Sequence, residues 1–341
     1  MRRSDGGLMA MPRQYTVSLT AGERVDTTFA LRSKEMRSSR TGEAYLSLEF
    51  ADRSGRISGI MFRPGREAES VPVGTVVAVR GTVTAYRGVL RVSVSSMKPA
   101  SRYEPREILP ASPRDADEMI SELRDHVRAI ANPGLAGLVK AVYGDRRFMR
   151  AFRVCPASRS EHHAYIGGLL EHTVAVAGLC RTMADLHPQI DGDLLLTGAL
   201  LHDIGIVDEL EFQTAIEYTD RGRLSGHEAL GDRRLFAAAA ALGSPLTPDV
   251  LDHVSHMVLS HHSADERGGR LRPRTLEAVA LAQVDSLDAR TAGFIAEGRV
   301  AGMVGERWTS GGIQAVSPPP DESSIQGSSP APAAVLGRRS A

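Results

Sequence analysis

Residues 194–203 read LLLTGALLHD. The stretch from Leu194 to Leu201 is apolar on nearly every side, as a helix at the centre of a domain must be, yet it runs straight into His202 and Asp203. Burying an imidazole and a carboxylate there without partners is costly. A divalent cation resolves the conflict, because it neutralises the carboxylate and uses the imidazole nitrogen, and Gly205 helps the chain leave the helix just beyond. A His-Asp pair on its own equally suits a capping or hydrogen-bonded structural role, so the surrounding residues have to decide.

Around this segment the pattern is helical. Asp115 caps a predicted helix reaching about Ala131, followed by helices near 134–143 and 145–153, then longer ones at 162–185 and 191–204. Three more are predicted near 226–242, 248–261 and 273–297. Ser225 with Glu228 reads as a capping box, and Thr247 before Pro248 as an N-cap with proline in the first turn. Cys155 and Cys180 lie in apolar helical surroundings without metal-ligand spacing and read as core residues of a protein in a reducing compartment.

Towards the amino terminus the period changes to two. Val25, Thr27, Phe29 and Leu31 alternate with polar neighbours, as do Leu46, Leu48 and Phe50, and later Val92 and Val94. Turn signals at Ser38 to Gly42, Asp52 to Gly55, Pro72 to Gly74 and Arg87-Gly88 divide the region between Arg24 and Met97 into five strands, a count that fits a small closed barrel of the OB-fold type. Such a barrel holds nucleic acid through a basic groove and stacking aromatics. The candidates are Arg37, Arg40, Tyr45, Arg63, Tyr86, Arg87 and Arg91, although each could simply belong to a solvated face.

The expected architecture is therefore two-domain: an N-terminal all-β barrel at 14–98, a proline-rich linker at 99–114, and an all-α domain at 115–308. Disordered ends are expected at 1–13 and at 309–341, the latter rich in Gly, Ser, Pro and Ala. The formal charge of zero hides an asymmetry. Lys plus Arg against Asp plus Glu is 18 to 11 in residues 1–110 and 23 to 30 afterwards, about +7 and −7. A basic first third suits a polyanion, and an acidic remainder suits carboxylates that hold cations. No apolar stretch approaches the ~18 residues of a membrane span and no signal-peptide core follows Met1, so a cytoplasmic protein without membrane attachment is expected.

The sequences LLEHTVAVAG (169–178), LLHDIG (200–205), GRLSGHEALG (222–231), LSHHS (259–263) and VDSLDAR (284–290) resemble, in order, the pattern of the HD superfamily of metal-dependent hydrolases. The resemblance implies that His172, His202, Asp203 and Asp285 hold one metal, with Asp203 free to bridge to a second held by His227 and His261. His262 could replace His261, since neighbours on a helix point about 100° apart. His256 resembles a family position that could be a ligand or stand behind one, whereas His253 reads as surface and neither His126 nor His187 is assigned to chemistry. Mixed imidazole and carboxylate ligation favours Mn²⁺, with Fe²⁺, Co²⁺ or Zn²⁺ as alternatives.

HHAYIGGLLEHT (162–173), YTDRGRLSGH (218–227) and the barrel segment at 24–57 are similar to the YhaM type of bacterial 3′→5′ exoribonuclease, which also carries an amino-terminal OB domain. This implies single-stranded RNA, or single-stranded DNA, held by the barrel and shortened to nucleoside 5′-monophosphates. Asp203 would act in catalysis, and Arg223, His163 and Tyr218 would contact the scissile phosphate or the terminal nucleotide. One departure stands out: where the family has lysine after His-Asp-Ile-Gly, this chain has Ile206. That leaves room for an HD phosphohydrolase acting on nucleotides or a cyclic dinucleotide, and for a nucleic-acid-binding protein with weak or lost catalysis. Oligomeric state is not legible.

Overall fold

The computed structural model describes residues 13–242, 246–262, 271–300, 307–309 and 312–314. Five strands close a barrel: β1 (Arg24–Ser38), β2 (Ala44–Asp52), β3 (Gly55–Phe62), β4 (Val76–Tyr86) and β5 (Val89–Pro99), with the short helix α1 (Arg66–Ser70) between β3 and β4. The order around the barrel is β1-β2-β3-β5-β4, with only β3 and β5 parallel. Alternation explains its core: Phe29, Leu31, Leu46, Leu48, Phe50, Val79, Val83 and Val92 all point inward and are buried. Arg87 and Gly88 both take positive φ (52° and 80°), the backbone a two-residue hairpin needs to match strand twist.

Residues 99–114 form more than a loose connection. They contain α2 (Pro105–Ile108), and Ala111 makes a parallel bridge to Ile166. Ile108 and Leu109 are buried with Ala30 and Val76 of the barrel and with Ile166, so this segment is glue between the barrel and the helices that follow. The expectation of a plain linker is corrected on that point: Pro105 stands in the first turn of α2, and Ile108 and Leu109 beside it are buried.

The helical part comprises α3 (Ala116–Ala129), α4 (Pro133–Gly144), α5 (Arg146–Phe152), α6 (Gly168–Leu186), α7 (Gly192–Leu201), the single turn α8 (Ile206–Glu209), α9 (Asp220–Ala241), α10 (Pro248–Ser260) and α11 (Leu276–Val300). Side chains of Asp115, Asn132, Asp145 and Asp191 accept backbone N–H groups at the starts of α3, α4, α5 and α7. Every residue of α7 from Leu194 to Leu201 is buried, the central position its composition requires. Cys155 and Cys180 are buried free thiols of the same core.

Three features differ from the sequence reading. The helix expected from residue 162 begins only at Gly168, because His163 and Gly167 both take positive φ and hold the preceding segment in a loop. The helix start expected near residue 226 is a restart within a longer element: α9 begins at Asp220, capped by Thr219, breaks at Gly226 (φ 75°, ψ 156°) and resumes just past it. Between α8 and α9 lies a hairpin of β6 (Leu210–Phe212) and β7 (Ile216–Tyr218), with strands of three residues, too short to show a period. Thr247 does precede α10, with Pro248 in its first turn, but its hydroxyl makes no capping bond.

Residues up to Gly293 form one compact unit, and those from Phe294 a second. In the second, β8 (Arg307–Thr309) pairs with β9 (Gly312–Gln314), at the start of the stretch expected to be disordered. The remainder of the expected disordered ends lies outside the described residues, apart from Arg13, which bonds Thr27 and Thr28 of β1. Among the described residues no helix is long and apolar enough to cross a membrane.

Candidate metal centre and nucleic-acid face

α6, α7, α9, α10 and α11 each bring polar side chains to one point inside the helical layer. His172 comes from α6, His202 and Asp203 from the end of α7, His227 from α9 just past its bend, His261 and His262 from the end of α10, and Asp285 from α11. His172, His202, Asp203, His261 and Asp285 are at most 5% exposed.

Four of the imidazoles are oriented alike. Each faces an acceptor with Nδ1: His202 the Ala199 carbonyl (2.9 Å), His261 the Val258 carbonyl (2.7 Å), His172 the Asp288 carboxylate (2.7 Å), and His227 the Glu209 carboxylate (3.2 Å). An Nδ1 aimed at an acceptor carries the proton, so each neutral ring turns its bare Nε2 lone pair inward. These nitrogens converge with little between them: His172 Nε2 lies 3.2 Å from His202 Nε2, and His227 Nε2 lies 3.4 Å from His261 Nε2 and 3.1 Å from His262 Nε2.

Asp203 stands between the two groups. Its Oδ2 is 3.5 Å from His172 Nε2 and 3.4 Å from His202 Nε2, while its Oδ1 is 3.5 Å from His227 Nε2 and 3.3 Å from His261 Nε2. Asp285 joins both, with Oδ1 3.1 Å from His172 Nε2 and Oδ2 3.5 Å from His262 Nδ1.

The donor set fits divalent cations. Asp203 Oδ1 is buried without a hydrogen-bond partner, a costly state unless a cation completes it. Ligands about 2.1 Å from a common ion lie roughly 3.0–3.4 Å apart along the edges of an octahedron or tetrahedron. Separations of 3.1–3.5 Å match that spacing, while His202 Nε2 and Asp285 Oδ1 stand wider at 3.9 Å. Without an ion, protons meet the demand for positive charge. Burial disfavours charged His172, but hydrogen bonds to Asp285 and Asp288 outweigh it and push the pKa up to about 10. At His227 burial is likewise overcome, by Glu209 and Asp203, to about 9. His261 goes the other way, to about 4, through burial and the neighbouring charge of His262. Burial raises the Asp203 and Asp285 carboxyls, yet the surrounding imidazoles hold both well below the usual range.

Known proteins bear on the geometry at this point. Residues 169–290 match the HD domain family, and residues 30–100 match a family described as OB-fold nucleic acid binding domain. The 3'-5' exoribonuclease YhaM of Geobacillus sp. strain WCH70 is 30% identical over 278 residues, covering 80% of this chain and 85% of its own. The proteins of the same name from Bacillus velezensis and Bacillus subtilis strain 168 are 31% and 30% identical over 274 residues, each covering 79% of this chain and 86% of its own. This chain belongs to the YhaM family of exoribonucleases. It has the family's two parts, an OB-fold barrel followed by a helical HD domain, and with them a dependence on divalent metal and a nucleic acid as substrate.

The remaining candidates divide. His261 and His262, between which the sequence left the choice open, both lie in the second group with Asp203 and His227. His163 sits beside the centre, its Nε2 2.9 Å from the same Asp288 oxygen that holds His172, and its Nδ1 2.7 Å from the Tyr165 hydroxyl. His256 does not reach the centre: its Nε2 accepts the backbone N–H of Arg274 (2.9 Å), so it ties the segment before α11 to α10. Arg223 is exposed beside a neighbouring depression lined by Leu224 and Leu271, instead of facing the histidines. Tyr218 does line the cavity of about 650 Å³ that opens over Asp203, His227 and His262.

On the barrel, Arg37, Tyr45 and Phe62 lie in one cross-strand row, with the Tyr45 and Phe62 rings 5.5 Å apart. Arg37 is paired with Glu35 and Arg63 with Glu43, both at 2.6 Å, so part of the basic charge is spent internally. Tyr86 is 52% exposed at the β4–β5 turn, with the Arg91 guanidinium 4.5 Å and that of Arg87 5.4 Å from its ring centre.

Sequence reasoning passed over Asp288 and Glu209, which orient His172 and His227. Asp288 is one helical turn after Asp285 in α11, a detectable signal, whereas Glu209 is brought to His227 only by the approach of α8 to α9.

Proposed function

We propose that this protein is a divalent-metal-dependent 3′→5′ exoribonuclease that shortens single-stranded RNA one nucleotide at a time, releasing nucleoside 5′-monophosphates. The observation that carries this reading is Asp203, whose two carboxylate oxygens each face a separate group of bare imidazole nitrogens. In this reading His172, His202, Asp203 and Asp285 hold one ion, and Asp203, His227, His261 and His262 hold the other. Mixed nitrogen and oxygen donors favour Mn²⁺, with Fe²⁺, Co²⁺ and Zn²⁺ as alternatives. When bound, such a pair of ions supplies Lewis-acid activation of water and of the phosphoryl group.

The protein's own residues do the rest. Glu209 and Asp288 keep the Nδ1 protons of His227 and His172 and thereby fix the direction of each Nε2. His163 holds Asp288 from the other side. The cavity is of the size that encloses a small ligand, so it admits a terminal nucleotide and leaves the remaining chain outside. Tyr45, Phe62, Tyr86 and Arg91 offer stacking faces and cations for that remaining chain, and Arg37, Arg63 and Arg87 flank them. Two buried free thiols suit the reducing cytoplasm, where we place the protein.

The test is single-stranded RNA labelled at its 5′ end, incubated with the protein and Mn²⁺. A ladder of labelled strands that shortens from the 3′ end is expected, with unlabelled nucleoside 5′-monophosphates released and identified by chromatography. RNA bound but never shortened would overturn the proposal. DNA of the same sequence, run in parallel, measures the preference for RNA.

A further inference from the structure

The cavity over Asp203, His227 and His262 is also lined by the 157–162 segment, Ile206 and Tyr218. Its charge is unfavourable to a polyanion: Asp203, Glu209, Glu228 and Glu161 all line it. Cations that offset Asp203 leave Glu161, Glu209 and Glu228 in the lining that an entering phosphate meets. Ile206, 3% exposed, adds an apolar surface and no charge. Among the described residues lining the cavity, the one lysine or arginine is Arg159.

Arg159 is poised and weakly held. Its guanidinium carbon lies 5.9 Å from the centre of the Tyr218 ring. Its Nε is 3.8 Å from Glu217 Oε2, beyond hydrogen-bond length, with both side chains about half exposed (50% and 48%). An exposed ion pair of that length gives way readily to a better anion. Tyr218 is fixed relative to the metal centre. It pairs with Leu210 at the open end of the β6–β7 hairpin, directly after Glu209, which accepts the backbone N–H of His227 (3.0 Å).

We infer that Arg159 and Tyr218 form the clamp for the 3′-terminal nucleotide, the guanidinium gripping its phosphate and the phenol ring carrying its base. Arg159 is then the cation of a cavity whose position 206 supplies none. A guanidinium suits this role because it can bond two phosphate oxygens at once while its plane rests on an aromatic face. The inference rests on the exoribonuclease reading for the identity of the nucleotide.

The experiment compares a nucleoside 5′-monophosphate with the corresponding nucleoside, each titrated calorimetrically into Mn²⁺-loaded wild type, Arg159→Ala, Arg159→Lys and Tyr218→Ala. Wild type should bind the monophosphate more tightly than the nucleoside. Arg159→Ala should weaken the monophosphate by roughly 10- to 100-fold, the range of a lost charged hydrogen bond, and leave the nucleoside unchanged. Arg159→Lys should restore part of the gap, and Tyr218→Ala should weaken both ligands together. On RNA, Arg159→Ala should raise KM more than it lowers kcat. Unchanged monophosphate affinity in Arg159→Ala would overturn the clamp, even if wild type degrades RNA normally. If wild type fails to shorten RNA while the monophosphate gap still collapses in Arg159→Ala, the exoribonuclease reading falls and the phosphate site stands.

Discussion

Gly205→Ala places one methyl group where the backbone leaves no room for it. A Cβ at Gly205 would stand 2.0 Å from the His227 carbonyl oxygen and 2.5 Å from the Gly231 backbone nitrogen. Ordinary contact begins at 3.4 Å, so α9 must retreat from the end of α7 by about 1.4 Å. Both obstacles are backbone, and no side-chain rotation relieves them. The cost should be on the order of 1–3 kcal/mol, as for other overpacked interiors, seen as a lower urea midpoint with an unchanged slope. The consequence for the site is asymmetric. His227 rides on α9 and moves away from Asp203 Oδ1, now 3.5 Å from its Nε2, whereas His172, His202, Asp203 and Asp285 are carried by elements that need not shift. Metal sites tolerate only about 0.2 Å of error in ligand distance. The variant should therefore keep one Mn²⁺ and lose most of its affinity for the second, and RNA hydrolysis should fall with it. Calorimetric titration of Mn²⁺ into metal-free protein gives the stoichiometry. Two ions bound with wild-type affinity by a folded Gly205→Ala protein would refute the assignment of His227 to a second ion.

Asp203→Ala removes the carboxylate shared by both groups and should cut RNA hydrolysis by more than about 100-fold, while filter binding of RNA in the absence of turnover stays within a factor of three or so. Tyr86→Ala should weaken RNA binding by roughly 5- to 150-fold, the value of one stacked base, without altering monophosphate affinity; an unchanged dissociation constant would remove Tyr86 from the RNA path. Arg91→Ala should lower the steepness of the salt dependence of RNA binding by about 0.7, as expected for one lost phosphate contact on a single strand, and a slope equal to wild type would count against it. Arg32→Ala deletes the bond from its guanidinium to the Thr214 carbonyl (2.8 Å) and should cost roughly 1.5–3 kcal/mol in urea unfolding.

The parts of this architecture legible in the sequence are those where a residue contradicts its surroundings. His172, His202, Asp203 and Asp285 interrupt apolar helices, and buried polarity demands a partner. The barrel was legible because Phe29, Leu31, Leu46, Leu48 and Phe50 alternate cleanly. What escaped depends on approach between distant segments. Glu209 looks like a surface carboxylate at the end of a short turn until α9 places His227 against it. Arg159, in a polar loop, looks solvated until the hairpin sets Tyr218 nearby. Arg223 failed in the opposite direction: its neighbourhood in the sequence resembles the family, but the bend at Gly226 separates its exposed side chain from the imidazole four residues on. His256, one position in from Met257, faces away from the centre for the same reason that adjacent helical residues diverge.

The β6–β7 hairpin ties these observations together. At its closed end Phe212 and Ile216 pack against the apolar cluster of Ala30, Val76, Ile108 and Ile166, and Thr214 is held twice by the barrel, through Arg32 (2.8 Å) and through the Gly74 carbonyl (3.1 Å). At its open end Glu209 orients His227 and Tyr218 lines the cavity. Three residues per strand make no independent fold, so the hairpin's shape is set from both sides. Under the proposed function, a strand held by the barrel and a nucleotide seated beside Tyr218 would thus be referred to the same element. The distance between grip and cut is a property of the hairpin's docking, so loosening Arg32 should disturb the register of RNA at the metal centre before it disturbs the metal ligands themselves.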